Sequence, residues 1–567
     1  MSSIEGGVGA LLARGFVALL AILTLFAVYY RSQAPGLRSA DAIELAQLAR
    51  NLAAGRGFTT RCIRPADTWY LRKNDRPAYA TGSFPDLRNA PLYPALLSLG
   101  LRLWRPPYRT ESSILHARLR VFAPEQRVLV PTTVLFTIGT GVLVLLMGLR
   151  LFSLRAGLTA ATAYFVTDSV LANGLSGAAG PATAFFATAA LYLCALHRPD
   201  KPPILSMPFI AAGIVCGLTF LVRYAAIVVL PASLLVIFIR LDQRKWAAAA
   251  TLLFIAATVT APWLLRNVKA TGGPFGMAPY SVLTGSVTYP GDSFDRDLSP
   301  HPDNVKIARA VRDKALTGIR RLYDSDLRTL GSGLLVCFFL VSLFVRSEHP
   351  DASVLKWATA MGLACLLFVV ALTDGNRTGI LDMFLPMVTL CAVVFFFELL
   401  DRFATLDAEW QTVLTWAVLL LTALPAICTI AGAQRRSPYP PYHPPFVSYV
   451  TGLLEPDEIV CTDIPWATAW YGDRNSMLLP GTLEKFMELH NNHMPMSGLY
   501  FTTETTDRGY AGDLLDGPGR SWLPVLNRQV PTEFPLKHGI ALPPGQHDQL
   551  FLTDRIRWQE EPQPAEE

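Results

Sequence analysis

Ser39-Ala40-Asp41-Ala42-Ile43-Glu44-Leu45-Ala46-Gln47-Leu48-Ala49-Arg50-Asn51-Leu52, closed by Ala53-Ala54-Gly55-Arg56-Gly57-Phe58, follows an apolar run at 11–30. Ile43, Leu45, Ala46, Leu48, Ala49 and Leu52 recur at helical spacing, Ser39 or Asp41 offers an N-cap, and Gly55 offers a stop. An amphipathic helix of this kind is expected to lie along a membrane surface rather than across it. The run before it is as long as a full span and no small-residue cleavage site follows, so it reads as an anchor and not as a signal peptide. A span that leads straight into a surface helix frames the reading of the remaining chain.

The composition agrees. The 567 residues are 51% hydrophobic and 16% charged, with a mean hydropathy of +0.33, whereas a soluble chain carries roughly 25% charged residues. This excludes disorder, a collagen-like repeat and a disulfide-dense secreted scaffold, and it points to a membrane protein. The net charge of +5 reads as membrane topology, not as a nucleic-acid footprint, because Lys and Arg gather at membrane edges. No repeat of 20 to 50 residues is present, so a solenoid is out. Six cysteines (Cys194, Cys216, Cys337, Cys365, Cys391 and Cys428) lie in apolar runs and read as packing. Cys62 and Cys461 fall in polar segments, where a bridge between them stays open, and no Cys/His spacing suggests a metal framework.

Apolar runs at 11–30, 129–151, 157–175, 181–196, 208–222, 224–239, 247–265, 328–345, 357–373, 379–399 and 411–431 give about eleven spans. With the N-terminus cytoplasmic, the short inside connections carry Arg155, Arg198, Lys201, Arg240, Arg244, Lys245, Arg346 and Lys356, as the positive-inside rule asks. The turn around Arg402 is closer to neutral. The long segments 31–128, 266–327 and 432–567 then fall outside. The last of these turns strand-like at Glu458-Ile459-Val460-Cys461-Thr462 after a Pro-rich lead-in at Ser437–Pro445. The expected fold is therefore an α-helical polytopic membrane domain over 1–431, followed by a small extracytoplasmic soluble α/β domain over 432–567.

The polar residues at membrane edges are the candidates for chemistry. Asp41 sits in the first turn of the surface helix, where the helix dipole alone accounts for a carboxylate. Glu44 in the same turn suits a capping arrangement. Asn89-Ala90-Pro91-Leu92-Tyr93-Pro94 begins a second apolar helix too short to span. Asp168 lies within the third run, where an ionisable group marks a functional hypothesis, unless it marks the outer end of that helix, a boundary the sequence does not fix. Arg223 interrupts the stretch between Phe209 and Ile239, and Arg266 and Arg377 stand at outer span ends, where arginine can snorkel to head groups or face an anionic ligand.

The order of these features resembles the GT-C class of integral membrane glycosyltransferases. The likeness is strongest to the branch holding the protein O-mannosyltransferases and the bacterial aminoarabinose and related lipid-linked sugar transferases. It rests on a series in register over about residues 10–400: Asp41-Ala42-Ile43-Glu44, Gly55-Arg56-Gly57-Phe58, Ala90-Pro91-Leu92-Tyr93-Pro94, Gly217-Leu218-Thr219-Phe220-Leu221-Val222-Arg223-Tyr224, Pro262-Trp263-Leu264-Leu265-Arg266-Asn267, and Arg377 with Leu385-Pro386. The resemblance implies a polyprenyl-phosphate-linked sugar donor and a glycan, lipid or protein acceptor on the extracytoplasmic face of the inner membrane. It implies Asp41 as general base, Arg223, Arg266 and Arg377 as phosphate-binding residues, and Glu44 and Tyr93 as accessory residues. The chemistry is independent of the resemblance: an acceptor hydroxyl must lose a proton as it attacks C1, and the departing phosphate needs cations. A second acidic residue common between the third and fourth spans is missing from Asn173–Ala184, and Asp168 just upstream is the candidate to replace it. A divalent metal is left open, and no nucleotide-binding loop is present. Two rival readings are a lipid-linked sugar transporter or flippase, which calls for matching halves, and a non-catalytic polyprenyl-lipid-binding scaffold.

Overall fold

The computed structural model describes residues 8–32, 37, 39–76, 83–108, 122–196, 202, 206–241, 243–321, 324, 331–347, 349–373, 379–402, 407–432, 444–506, 517–540, 542 and 549–558. Arg377, Arg198, Lys201 and most of the Pro-rich lead-in lie outside them.

Each of the eleven apolar runs contains a helix. In chain order the helices are α1 (Val8–Ser32), α2 (Ala40–Ala53), α3 (Pro65–Lys73), α4 (Leu92–Trp104), α5 (Val130–Leu151), α6 (Leu154–Val166), α7 (Asp168–Gly174), α8 (Gly180–Leu196), α9 (Met207–Val222), α10 (Val229–Arg240), α11 (Lys245–Thr271), α12 (Asn304–Arg321), α13 (Gly333–Phe344), α14 (Pro350–Thr373), α15 (Leu385–Arg402) and α16 (Ala408–Ala431). Six helical stretches, containing α1, α5, α11, α14, α15 and α16, are long and apolar enough to cross a membrane, and α8, α9, α10 and α13 are shorter apolar helices. The chain is a multi-pass membrane protein. Leu135, Phe254, Phe344, Trp416 and Leu420 stay exposed on these helices, as side chains that face lipid do.

Two local readings change. The third run is not one helix: α6 ends at Val166, Thr167 is extended (φ −74°, ψ 128°), and α7 restarts at Asp168. The charge that looked buried in a span thus heads a short helix. The first-loop helix α2 is also not half-exposed, since Ala42 to Ala49 are buried without a gap, Glu44 and Gln47 included. It is held between α4 on one side and the C-terminal domain on the other. The exposed apolar side chains of this loop belong to α4, at Leu99, Leu103 and Trp104.

The C-terminal segment adds α17 (Pro444–Gly452), α18 (Pro465–Tyr471) and α19 (Leu483–Asn492) to a six-stranded sheet. Its strands are β1 (Cys62–Ile63), β2 (Ile459–Thr462), β3 (Asn475–Leu478), β4 (Gly498–Phe501), β5 (His538–Gly539) and β6 (Leu550–Thr553), in the spatial order β1-β3-β2-β4-β6-β5. β1, β3, β2 and β4 are parallel, while β6 runs antiparallel to both β4 and β5. Because β2-α18-β3 and β3-α19-β4 cover the sheet, β2, β3 and β4 are fully buried runs without alternation. The edge strand β1 comes from the first loop, with Cys62 opposite Ser476 and Ile63 opposite Met477. Cys62 and Cys461 are buried free thiols. β3 lies between their strands, a separation of roughly 10 Å that a disulfide does not bridge.

Candidate active site

Ser39 caps α2, its Oγ accepting from the Ala42 amide at 3.2 Å. That puts Asp41 in the first turn with its side chain 54% exposed, at the helix end where a carboxylate is favoured. Opposite it, α9 stops at Val222, Arg223 has an extended backbone (φ −159°, ψ 126°), and a 3-10 turn over Tyr224–Val228 leads into α10. The charge in the sequence is therefore a break between two spans. Arg223 Nη2 lies 3.9 Å from Asp41 Oδ2, an ion pair too long for a hydrogen bond, so both groups keep donors and acceptors for a ligand.

Around this pair the sequence stretches converge. Tyr224 Oη accepts from Trp263 Nε1 at 2.7 Å and from Asn267 Nδ2 at 3.3 Å, and donates to the Asn89 carbonyl at 3.2 Å. Arg266 donates to Asn267 Oδ1 at 3.1 Å and to the Phe58 carbonyl at 3.3 Å. Its guanidinium lies 4.9 Å from the Trp263 ring centroid and 5.6 Å from that of Phe58, and the two rings meet edge-on at 4.9 Å. Four separate segments thus meet at one span end: Gly55–Phe58, Asn89–Tyr93, Arg223–Tyr224 and Pro262–Asn267. Tyr93 is fully buried and donates to the Gly177 carbonyl at 2.6 Å, which seats α4 on the turn between α7 and α8.

A second layer of charge lies behind the first turn. Glu44 is buried and pairs with Arg64 at 2.6 Å. Burial pushes the Glu44 carboxyl above the usual range, and the Arg64 guanidinium opposes that rise. Asp86 accepts from the Arg88 and Asn89 amides at 3.1 and 2.7 Å and from Asn89 Nδ2 at 3.0 Å. Arg88 in turn bridges Asp67 at 2.7 Å and Asp295, in the segment between α11 and α12, at 2.8 Å.

The other sequence candidates sit elsewhere. Asp168 Oδ1 accepts from the Tyr29 hydroxyl at 2.9 Å, tying α1 to the head of α7. Near it, Asp382 accepts from Asn173 and Ser169. Asp382 was not singled out from the sequence, and neither were Tyr224, Asn267 or Arg64. Tyr224 and Asn267 directly follow Arg223 and Arg266, so adjacency to a span-end arginine was the available signal. Among the described residues, no group of three His, Cys, Asp or Glu side chains is placed to hold a metal ion.

No family model matches the chain, and no curated protein matches it in sequence. In structure it is similar to the crystal structure of ArnT from Cupriavidus metallidurans bound to undecaprenyl phosphate, with a TM-score of 0.54 and 13% identity over 96% of this chain and 98% of that one. It is also similar to the archaeal oligosaccharyltransferase AglB from Archaeoglobus fulgidus, solved in complex with an inhibitory peptide and a dolichol-phosphate, with a TM-score of 0.51 and 12% identity over 90% of this chain and 72% of that one. At such identities the likeness is one of fold. It bears out the polytopic helical architecture with a small C-terminal α/β domain that the apolar runs and the strand-like tail predict, and with it the GT-C resemblance.

Proposed function

We propose that the chain transfers a glycosyl unit from a polyprenyl-phosphate carrier to an acceptor hydroxyl on the extracytoplasmic side, with inversion at C1. The observation that carries this reading is the Asp41–Arg223 pair at 3.9 Å, set between the first turn of α2 and the break after α9 in a fold shared with a protein crystallised with undecaprenyl phosphate. Asp41 is assigned as general base. Its exposed carboxylate takes the proton as the acceptor oxygen bonds to C1, while the bond from C1 to the phosphate oxygen breaks. Arg223 and Arg266 are assigned to the departing phosphate, whose oxygens suit the guanidinium fork. Arg266 is already oriented by the Phe58 carbonyl and the Trp263 ring, and Arg377 is a third candidate for the same role. Asp168, held by Tyr29, is assigned the support of α1 against α7 rather than the proton transfer. Glu44 and Tyr93 hold α2 and α4 in place.

The test is transfer of radiolabelled sugar from polyprenyl-phosphate donors to membrane-extracted acceptors by purified, reconstituted protein. Asp41→Asn should lower kcat at least about a hundredfold, the low end for loss of a general base. Arg223→Gln should chiefly raise the KM for the donor, because the arginine meets the phosphate before and during transfer. Undiminished turnover in Asp41→Asn removes Asp41 as the base. Absence of transfer from every donor tried, with the carrier still bound, favours a lipid-binding or transport role.

A further inference from the structure

Away from Asp41, the seam between the first loop and the C-terminal domain gathers three arginines around one carboxylate. Arg50 Nη2 lies 3.1 Å from Asp473 Oδ2, Arg61 Nη1 lies 3.1 Å from Asp473 Oδ1, and Arg56 Nη1 lies 3.9 Å from the same oxygen. Arg474, the next residue, is engaged elsewhere: its Nε and Nη2 donate to the Leu454 carbonyl at 3.0 and 2.7 Å, and its Nη1 donates to the Gly472 carbonyl at 3.2 Å. No other described carboxylate is paired with Arg50, Arg56 or Arg61. The three arginines and Asp473 therefore carry a net charge of about +2, and like charges at such spacing repel unless an anion joins them. Arg50 and Arg61 are largely enclosed, with side chains 14% and 12% exposed. Arg61 Nε and Arg56 Nη1 are shielded from solvent and have no hydrogen-bond acceptor among the described residues, although a buried guanidinium N–H ordinarily has one.

The backbone keeps the site open. Arg56 stands between Gly55 and Gly57, both in the left-handed region (φ +77° and +73°), with no atom within 4 Å of where a Cβ would sit. Asp473 holds φ at +53° without being glycine, a costly conformation that sets it toward the three arginines. Arg50 is further fixed by its bond to the Trp470 carbonyl at 3.1 Å and by the Tyr108 ring 4.1 Å from its guanidinium carbon.

We infer that Arg50, Arg56 and Arg61 form a binding site for a phosphate-bearing anion, which closes the seam between the first loop and the C-terminal domain. Guanidinium forks and phosphate oxygens match in geometry and charge. The phosphate arrives either on a soluble molecule or on a lipid head group. The site does not depend on the transfer reading, since none of its residues belongs to the Asp41–Arg223–Arg266 group.

The experiment uses the full chain in phosphatidylcholine nanodiscs, with sodium pyrophosphate as soluble probe, phosphatidic acid as lipid probe, and sodium chloride at matched ionic strength as control. One or both probes should raise the apparent Tm in the native protein and in Arg223→Gln. The apparent affinity should fall at least about fivefold in Arg56→Gln and further in Arg56→Gln/Arg61→Gln, since each loses a charge-assisted bond. A shift with pyrophosphate assigns a soluble ligand, and a shift with phosphatidic acid alone assigns a lipid head group. Arg56 makes only a loose contact, so its single variant keeps the fold and the comparison intact. No shift beyond the chloride control, or an equal shift in both Arg56 variants, overturns the site.

Discussion

Arg223 and Asp41 show what single residues disclose and what they hide. An ionisable side chain inside an apolar stretch costs free energy, so Arg223 stood out, and the structure gives the physical reason in a helix break at that position. Asp41 was legible as a helix cap, yet nothing along the chain tied it to a residue 182 positions away. Tyr224 and Asn267 are neutral, and neutral polar residues at span ends are common, so their hydrogen-bond hub left no mark. Glu44 was read as a capping residue for the same local reason, whereas the structure buries it against Arg64. Removing Arg64 leaves that carboxyl enclosed without its countercharge. Arg64→Ala should therefore cost about 3 kcal/mol, read as a fall in apparent Tm. The loss should grow with pH. An acid whose folded pKa is raised holds its proton longer than in the unfolded chain, so stability declines as pH climbs from the usual 4.5 upward. Arg64→Ala/Glu44→Gln should flatten that slope, and a deficit independent of pH would point to lost packing instead.

Helices were legible as runs, but their partners were not. Length and hydropathy located all eleven apolar helical regions, because lipid forces backbone polar groups to pair within each segment. The break at Thr167 has no residue to fix its position, since Phe165-Val166-Thr167 carries no proline or glycine. The short π-helical turn over Glu125–Leu129 that opens α5 was hidden for a similar reason. Glu125 there is fully buried and accepts from Trp470 Nε1 at 3.0 Å, the Tyr471 hydroxyl at 2.7 Å and the Leu37 amide at 3.1 Å. One carboxylate thus joins the head of α5, the lead into α2 and the end of α18. Glu125→Ala strands three buried donors, and each unmet donor costs about 1–3 kcal/mol. The variant should lose several degrees of apparent Tm and expose the C-terminal segment to limited proteolysis. Glu125→Gln keeps an acceptor oxygen and should fall between the two. Equal protease resistance in all three proteins would show that this joint is not what holds α18 to α2.

At the scale of the whole molecule, the C-terminal α/β fold was legible from its strand-like and helical runs, but its attachment was not. β1 is only two residues long, and Cys62-Ile63 has no periodicity to read. Yet through β1 the first loop completes the sheet, with the Ser476 amide donating to the Arg61 carbonyl at 2.7 Å. Further ties cross the same boundary: Arg50 to the Trp470 carbonyl at 3.1 Å, and Lys485 to Asp297, between α11 and α12, at 2.7 Å. Apolar packing is shared as well, since Ala42, Ile43 and Tyr93 belong to one buried cluster with Val447, Val450, Trp470 and Tyr500. The helix that carries Asp41 therefore has the C-terminal domain as one of its two walls. Ending the chain at Gly432 exposes that cluster, unpairs β1 and removes two of the donors that Glu125 receives. Such a truncation should do more than delete an accessory module. The remaining helices are expected to insert, because span formation depends on local hydropathy, but α2 should lose its fixed position. Size-exclusion chromatography in detergent should show an aggregated or broadened species, and hydrogen exchange over residues 40–53 should rise sharply relative to the full chain. A monodisperse truncated protein with α2 still protected would mean that α4 and the spans alone hold the first loop, and would separate the Asp41 site from the C-terminal domain.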